Sequence, residues 1–347
     1  MTDEPVNQMI APDVRAYLTQ LRIYRFQVVY QFQESAHLPP FKGSMFRGAL
    51  GAALIRTSCS CIKKSKGSQD FDVTAHEQYC SFGYLFQNEP NLVAQAEHWT
   101  TNLANMQKPR PMMINASSQI QRQYEIGDRI SIELTLFGDA IEHMPLLVLA
   151  LKELGEIGVG SHRAKLKLIQ VGRLDELGNW AAVVYDGRDD TIRVEHLLPL
   201  PLDDILSHPV TTETLMIRYM TPTRLKSEGL LSDKISFAML FQSAYRRIVS
   251  LLAYYHSDSQ LPDVALYDQL MKEAKQIEPV TELTQWIELE RYSNRQKQKM
   301  NLGGVVGMST FRGDWQRLIA ILLLSQWTGI GKSTVFGLGQ IKVFFDN

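Results

Sequence analysis

Two stretches of the chain have the same order of features, and this internal repeat constrains the fold more than any other property of the sequence. Residues 144–171 read MPLLVLALKELGEIGVGSHRAKLKLIQV, and residues 315–343 read WQRLIAILLLSQWTGIGKSTVFGLGQIKV. Each stretch has an apolar helical segment, a glycine-rich loop with a basic residue, and a segment in which apolar and polar residues alternate. The repeat predicts two copies of one folding unit in tandem.

The segments around these stretches predict the order β-α-β-β-α-β in each half. In the first half the predicted strands are 26–33, 112–116, 129–137 and 164–171, and the helices are 45–56, after Ser44 as N-cap, and 140–154. In the second half the predicted strands are 213–220, 286–292, 304–311 and 340–345, and the helices are 236–255, an inserted 264–277, and 314–327, capped by Asp314.

This is the element order of ferredoxin-like domains. We therefore predict an α+β protein with two tandem ferredoxin-like (RRM-like, βαββαβ) domains packed side by side. The first is expected at 1–206, with a cysteine-containing insertion and a short hairpin extension. The second is expected at 207–347 and contains the glycine-rich loop.

The length and composition fit this prediction. A chain of 347 residues is long enough for two domains, and its apolar content of 45% is that of a globular protein. The longest apolar run, 318–324, is too short for a membrane span. The first residues lack the pattern of a secretion signal. We expect a cytoplasmic protein without a membrane partner.

The formal net charge of −1 conceals a basic C-terminal region. Between Arg291 and Lys342 the chain has eight basic residues and one acid, Asp314. A neutral protein with one basic region often presents one surface to a polyanion. The alternative is a solvated basic face without a ligand, and the charge alone does not decide between them.

The three cysteines, Cys59, Cys61 and Cys80, are odd in number and predict no disulfide framework. Together with His76 they could supply four metal ligands. The C-x-C spacing and the long gap before His76 match no common zinc pattern, so plain thiols are favoured. We expect neither a metal nor another cofactor.

The C-terminal loop GIGKSTVFGLG combines four glycines with a lysine and two hydroxyl side chains. Glycines let backbone N–H groups approach an anion closely. A nucleotide-binding P-loop requires a glycine six residues before the lysine, where this chain has Gln326, and it follows a strand rather than a helix. The loop therefore favours contact with an RNA backbone over a nucleotide. The structural alternative is a glycine-rich turn.

Three further segments place basic residues near bends or helix starts. HLPPFKGSMFRGALGAAL begins a helix, where N–H groups attract phosphate. TPTRLKSEG bends at the end of a strand. SHRAKLK alternates basic and apolar residues, which on a strand gives one basic face. Each segment could also be a packed or solvated surface without a ligand.

These motifs together resemble one family. LPPFKGSMFRGALG, the central TPTRLK, and NLGGVVG followed by GIGKSTVFGLG are similar to signatures of the CRISPR-associated precursor crRNA-processing endoribonucleases of the RAMP superfamily. The resemblance implies two ferredoxin-like domains that bind CRISPR repeat RNA and cut it without a metal. In that reaction the RNA 2′-hydroxyl attacks, which leaves a 2′,3′-cyclic phosphate and a 5′-hydroxyl.

Such cleavage needs a base, an acid and a cation for the phosphorane charge. We expect His37 as base or acid, Lys42 as charge stabiliser and Arg47 as phosphate contact, with His162 as the alternative to His37. Tyr24 and Tyr30 are further candidates for orienting the scissile phosphate. The residues expected to bind RNA are Arg163, Lys165, Arg224, Lys226, Gly329, Gly331, Lys332, Ser333, Phe336, Gly337 and Gly339.

Other functions are also compatible with parts of the sequence. A non-catalytic RAMP subunit that holds crRNA in a CRISPR effector complex would share the fold, the loops and the charge, and effector subunits are expected partners in either case. A nucleotide-dependent enzyme would need an acidic metal ligand on a nearby strand, which the sequence lacks. A scaffold of two domains would show no salt-dependent RNA affinity.

Overall fold

The computed structural model of the chain contains two compact units. It describes residues 11–59, 76, 80–87, 108–116, 120–207, 212–227, 229–256, 259–293 and 298–345. Within these ranges, residues from Arg22 to Leu200 form the N-terminal unit, and residues 11–21 together with those from Pro201 onward form the C-terminal unit. The division thus falls six residues before the predicted boundary, and the start of the chain joins the second unit.

The bounds of the elements follow, for the described residues. The helices are α1 (Pro12–Leu18), α2 (Gly43–Thr57), α3 (Ser81–Phe86), α4 (Met144–Ile157), α5 (Leu202–Ile205), α6 (Phe237–Tyr255), α7 (Val264–Ala274) and α8 (Ile319–Thr328). The strands are β1 (Ile23–Phe32), β2 (Ala36–His37), β3 (Met112–Asn115), β4 (Gln123–Tyr124), β5 (Arg129–Phe137), β6 (Leu166–Leu174), β7 (Trp180–Asp186), β8 (Thr191–Ile192), β9 (Thr214–Thr223), β10 (Lys226–Ser227), β11 (Leu230–Leu231), β12 (Glu278–Ile287), β13 (Glu290–Ser293), β14 (Gln298–Asn301), β15 (Gly304–Arg312) and β16 (Ile341–Phe345). Among these helices, none combines the length and the apolar character needed to cross a membrane.

The N-terminal unit contains a sheet with the strand order β3-β5-β1-β6-β7-β8. Its first four strands are antiparallel neighbours in the order second, third, first and fourth, as in a ferredoxin-like domain. Alternate apolar residues of β1, such as Phe26 and Val28, are fully buried. They share one core with Leu50 of α2 and Leu151 of α4. Strands β7 and β8 extend this sheet as the predicted hairpin.

The C-terminal unit repeats the topology with the order β12-β15-β9-β16. Helix α6 begins after Ser236, whose side chain caps it by accepting a hydrogen bond from the Met239 N–H. The Phe237 ring at the start of α6 lies edge-on to the rings of Phe311 and Trp315. The prediction of an α+β protein with two tandem ferredoxin-like domains is confirmed.

Several predicted boundaries differ from the structure. Helix α2 begins at Gly43 with Lys42 in the N-cap position, so Ser44 lies inside its first turn and not at the cap. Asp314 accepts a hydrogen bond from the Gln316 N–H and so caps the turn before α8 rather than the helix itself. Helices α1 and α3 were not predicted, because each is too short to show a periodic pattern.

The strands predicted at 286–292 and 304–311 also differ from the structure. Strand β12 starts earlier, at Glu278, and pairs with β15 over its whole length. Residues 290–293, which were expected to continue the same strand, pair instead with residues 298–301 as β13 and β14. This separate pairing lies in the connection between the edge strand β12 and its neighbour β15.

Candidate functional site

His37 lies at the end of β2, which pairs with β4 of the same unit. The register places His37 opposite Gln123, one residue after Arg122. The His37 Nε2 is 3.1 Å from an Arg122 guanidinium nitrogen. Because a guanidinium only donates hydrogen bonds, Nε2 is the acceptor and carries a lone pair in this arrangement. His37 and Arg122 are both exposed, so a ligand can reach them.

Lys42 belongs to the same group of residues. It holds the N-cap position of α2, and its side chain is among the most deeply buried in the chain. Burial lowers the pKa of Lys42, and the positive charge of Arg122 lowers it further. The influence of Arg122 shows that the two cations are electrostatic neighbours. We call His37, Lys42 and Arg122 the His37 cluster, and its composition suits an anion.

The turn between α4 and β6 lies against this cluster. Val159 and Ala164 form an isolated bridge that closes the turn. Gly160 has a φ of +77°, and a Cβ on it would lie 3.1 Å from the Leu38 side chain and 3.5 Å from the His37 carbonyl oxygen. The turn therefore needs a glycine here to approach the His37 backbone. His162 is exposed in the same turn.

A second group of cations lies in the C-terminal unit. Lys332 is exposed, and its backbone N–H donates to the Arg224 carbonyl oxygen at 3.1 Å. Partial burial lowers the pKa of Lys332, and so do the positive charges of Lys226 and Arg224. We call Arg224, Lys226 and Lys332 the Lys332 cluster. Mutual repulsion of like charges is relieved when an anion binds between them.

The glycine-rich loop is held by hydrogen bonds within the protein. The N–H groups of Ile330, Gly331 and Lys332 donate to the Gly339 carbonyl, the Ser243 hydroxyl and the Arg224 carbonyl, respectively. These amides are therefore not the anion cradle that the sequence suggested. Within the described loop, the cationic side chain of Lys332 is the group best placed to contact an anion.

The glycines of this loop have a structural reason of their own. The described loop has positive φ angles at Gly329, Gly331, Gly337 and Gly339. A Cβ at Gly331 would lie 2.5 Å from the Arg224 carbonyl oxygen, and one at Gly339 would overlap the Ile330 carbonyl oxygen. The loop thus brings Lys332 to Arg224 only because these positions lack side chains.

Two family models match the chain. One, AF_1859_N, is described as an N-terminal domain and matches residues 21–197. The other is described as CRISPR-associated endoribonuclease Cas6 and matches residues 217–341. The C-terminal part of the chain carries a Cas6 family domain. The Cas6 match includes the glycine-rich loop and the whole Lys332 cluster, while the His37 cluster lies in the region matched by the N-terminal model.

Solved structures of Cas6 proteins are similar to the whole chain in fold. A Cas6 product complex from Thermus thermophilus gives a TM-score of 0.52 at 13% identity and covers 93% of this chain and 100% of that one. A partial Cas6-RT-Cas1–Cas2 complex gives a TM-score of 0.51 at 12% identity, covering 94% of this chain and 46% of that one. A relative described only as an uncharacterized protein, from Archaeoglobus fulgidus, is 22% identical over 310 residues, which are 88% of this chain and 93% of its own.

Arg47, the expected phosphate contact, has a packing role in the structure. Its guanidinium carbon lies 4.4 Å from the centroid of the Phe86 ring, in a cation–π contact between α2 and α3. The contact occupies the face of the guanidinium, and a stacked guanidinium can still donate hydrogen bonds from its edge. Packing on α3 and contact with a phosphate are therefore compatible for Arg47.

The basic face expected along residues 161–167 is only partly formed. Arg163 lies in the turn, with a φ of +53°, and not on a strand. Strand β6 begins at Leu166, so Lys165 precedes it, and the Lys165 ammonium donates to the Glu156 carbonyl oxygen. Lys167 is exposed on β6. Arg163 and Lys167 present charge to solvent, whereas Lys165 stabilises the turn.

Tyr24 and Tyr30 belong to the hydrophobic core of the N-terminal unit. Both residues are buried, and the Tyr30 hydroxyl donates to the Leu151 carbonyl oxygen at 2.9 Å. Burial raises the pKa of both phenols. The expectation that they orient a phosphate is therefore wrong, because the alternation of β1 turns these positions toward the core.

Two further residues expected to bind RNA lie in the glycine-rich loop. Ser333, which has a left-handed backbone conformation, and Phe336 are both half-buried there.

Three possible metal ligands lie close together after α2, although their spacing in the sequence matches no common zinc pattern. The Sγ atoms of Cys59 and Cys80 and a ring nitrogen of His76 all lie within 4.8 Å of one another. All three residues are buried, and burial raises the pKa of the Cys80 thiol to about 11. Cys61 lies outside the described residues. We call Cys59, His76 and Cys80 the Cys59 cluster.

Arg122 is the residue of the His37 cluster that sequence reasoning missed. It precedes the two-residue strand β4, in a stretch of polar residues without a periodic pattern. It reaches His37 through the pairing of β2 with β4, across 85 residues of sequence. An isolated arginine beside a short strand gives no local signal, so only the fold reveals its role.

Proposed function

We propose that this chain binds CRISPR repeat RNA and cleaves precursor crRNA once per repeat by attack of the RNA 2′-hydroxyl. The products are a 2′,3′-cyclic phosphate and a 5′-hydroxyl, and the reaction uses no catalytic metal. The observation that carries the proposal is the His37 cluster. It combines a histidine that accepts a hydrogen bond at Nε2 with two neighbouring cations in a chain that carries a Cas6 family domain.

The His37 cluster contains the groups that this reaction requires. Histidine exchanges protons near neutral pH, and cations stabilise the charge that develops on the phosphorane. A phosphate oxygen is a stronger partner for a guanidinium than a neutral imidazole is. A bound scissile phosphate would therefore draw Arg122 away from His37, and the Nε2 lone pair would then be available to take the 2′-hydroxyl proton.

The remaining steps conserve atoms and charge. After His37 removes the proton, the 2′-oxygen bonds to phosphorus and the bond from phosphorus to the 5′-oxygen breaks. The leaving 5′-oxygen takes a proton from water or from His162, which is exposed in the adjacent turn. Lys42 and Arg122 stabilise the phosphorane charge, and Arg47 remains a proposed phosphate contact from the edge of its guanidinium.

The Lys332 cluster supports RNA binding in the C-terminal unit. Three neighbouring cations form a site for phosphates of the RNA backbone. We propose that Lys226 and Lys332 make direct contacts with phosphates. Arg224 also holds the protein together, because its guanidinium donates to the carbonyls of Asn301 and Gly303 at 2.9 Å each. The remaining proposed RNA contacts are Arg163, Ser333 and Phe336.

The deciding experiment uses repeat RNA from the genome that encodes the chain, labelled at its 5′ end. One sample carries a 2′-deoxy nucleotide at the cut site, and both are incubated in EDTA with and without added Mg²⁺. We expect one cut, equal rates in both buffers, and a product 3′ end that resists ligation until its cyclic phosphate is opened and the phosphate is removed. The deoxy substrate should bind equally well and stay intact, because it lacks the attacking oxygen.

Two other outcomes would contradict parts of this proposal. Tight binding without a cut in any buffer would identify a non-catalytic crRNA-binding subunit. A cut that persists on the deoxy substrate and needs Mg²⁺ would identify a metal-dependent mechanism with water as nucleophile. Thermal melting of the protein in the same EDTA buffer separates loss of activity from loss of the fold.

A further inference from the structure

We propose that Cys59, His76 and Cys80 bind one Zn²⁺ ion that has a structural role in the N-terminal unit. Two thiolates and an imidazole are the donors that zinc prefers in proteins. The proposal does not depend on RNA cleavage, and the ion takes no part in the reaction described above.

The distances within the cluster suit a single ion. The Cys59 Sγ is 3.3 Å from the His76 Nε2, and all three ligand atoms lie within 4.8 Å of one another. Around a tetrahedral zinc ion, with bonds of about 2.3 Å to sulfur and about 2.0 Å to nitrogen, these two atoms lie about 3.5 Å apart. The three side chains therefore need only small rotations to coordinate one ion.

His76 is oriented as metal-binding histidines usually are. Its Nδ1 lies 2.7 Å from the Gln87 Oε1, an atom that only accepts hydrogen bonds. Nδ1 therefore carries the proton, and the lone pair is on Nε2, which faces Cys59. A hydrogen bond from the distal ring nitrogen to an oxygen fixes the tautomer and ring angle in zinc sites. Thiol packing alone would not require this arrangement.

Cys80 is placed at a defined point of the fold. It holds the N-cap position of α3, so its backbone is fixed by the start of that helix. Cys80 and Cys59 are both buried and free of a disulfide. A metal would neutralise the charge of two buried thiolates.

The position of the site indicates what the ion would do. Cys59 follows the end of α2 and Cys80 begins α3, so the ion would join two helices that are distant in sequence. The helices also meet where a Cβ on Gly51 would lie 2.9 Å from the Phe86 ring, and where Arg47 covers that ring. The ion would fix α3 against α2, the helix whose N-cap is Lys42 of the His37 cluster.

Metal analysis of the full chain, expressed with zinc in the medium, tests the site directly. We expect about one zinc ion per chain. Replacing zinc by Co²⁺ should give the visible bands of a tetrahedral ion and a thiolate charge-transfer band in the near ultraviolet. Cys59→Ser and Cys80→Ser should lose the metal and the charge-transfer intensity. His143→Gln is the matched control, because His143 bonds to Ser81 of α3 but lies outside the cluster.

A melting experiment on the unmodified protein covers the case in which a cysteine variant fails to fold. A zinc chelator should lower Tm by about 5–10 °C when zinc is normally about a hundredfold above its Kd, and added zinc should restore it. The proposal would be overturned if the purified chain contained no zinc and its Tm changed with neither chelator nor added zinc. A Cys59–Cys80 disulfide in the protein purified under reducing conditions would overturn it as well.

Discussion

At the scale of single residues, the proposed mechanism assigns proton transfer to His37 and charge stabilisation to Lys42 and Arg122. His37 is exposed, whereas Lys42 is buried at the N-cap of α2. Arg122 connects the two, since it donates to the His37 Nε2 and lowers the pKa of Lys42. Substitutions at these positions should therefore affect different measurable quantities.

Replacing His37 should abolish the chemical step and leave RNA binding intact. We expect His37→Ala to lower the single-turnover cleavage rate by about 10²–10⁴-fold, the usual contribution of general acid–base catalysis, with no change in the Kd for repeat RNA. His37→Gln should show the same loss, because glutamine forms hydrogen bonds but transfers no proton. Loss of cleavage in His162→Ala, with normal cleavage in His37→Ala, would assign the role to His162 instead.

Lys42 should make the stability of the N-terminal unit depend on pH. Its pKa in the folded protein is below its usual range, so the unfolded chain binds the proton more tightly. The buried charge therefore lowers the free energy of unfolding at neutral pH. This free energy should increase as the pH rises from the lowered pKa of Lys42 toward about 10.4, the usual pKa of lysine. Lys42→Met removes this titration. The free energy of unfolding of the wild type, measured by urea denaturation, should rise with pH relative to that of the variant.

A constant difference between the wild type and Lys42→Met over this range would contradict the prediction. Lys167→Met is the matched control, since it removes an exposed lysine from β6 of the same unit. Cleavage by Lys42→Met should also be slower than that of the wild type, because the positive charge proposed to stabilise the phosphorane is lost. Cleavage by Lys167→Met should be normal.

At the scale of elements, the glycine-rich loop is a tightly closed connection between α8 and β16. Its backbone returns on itself, because the Ile330 N–H donates to the Gly339 carbonyl at 2.9 Å. The Gly339 N–H in turn donates to the Pro222 carbonyl on β9 at 3.2 Å. The loop is thereby attached to the central strand of the sheet, which fixes the position of Lys332.

A side chain at Gly339 should destabilise this element strongly. Gly339→Ala places a methyl group against the Ile330 carbonyl and at a φ of +69°, so we expect a loss of about 2–4 kcal/mol in the free energy of unfolding. The matched control is Gly48→Ala on α2, where a Cβ meets nothing within 4 Å. That variant should gain about 0.5–1 kcal/mol from helix propensity. Equal Tm values for the two variants would contradict the packing argument.

The elements also show which parts of the structure local sequence could predict. The strands and helices of both ferredoxin-like units were predictable, because alternation and helical spacing in β1 or α6 record which face is buried. The two-residue pairing of β2 with β4 was not, since it depends on residues far apart in the chain. His37 and Lys332 stood out in the sequence because each lies in a motif of neighbouring residues. Arg122 was missed, and His76 was not favoured as a metal ligand, because their partners lie far away in the chain.

At the scale of the whole molecule, the two cationic clusters coexist with a formal net charge of −1. The attraction for RNA that we propose is therefore local and is not a property of the whole surface. Each phosphate that a cluster neutralises releases counterions from the RNA. Affinity should then depend steeply on salt even though the sequence pI is about 6.7.

The salt dependence gives a test at this scale. For single-stranded RNA, Lys332→Ala should make the slope of log K against log salt shallower by about 0.7, the value for one phosphate contact. Lys226→Ala should have a similar effect. Lys272→Ala, which removes an exposed lysine of α7, should leave the slope unchanged. An unchanged slope in Lys332→Ala would show that the glycine-rich loop does not contact the RNA backbone.

The internally bonded glycine loop also affects how related chains are recognised. Because its glycines are required by backbone angles and packing, a descendant that had lost cleavage would keep them as long as it kept the turn. A sequence search based on these glycines therefore finds chains that share the fold, whether or not they cleave RNA. Under the proposed mechanism, cutting and non-cutting members are separated by a pair of positions 85 residues apart, His37 and Arg122, which no contiguous motif contains.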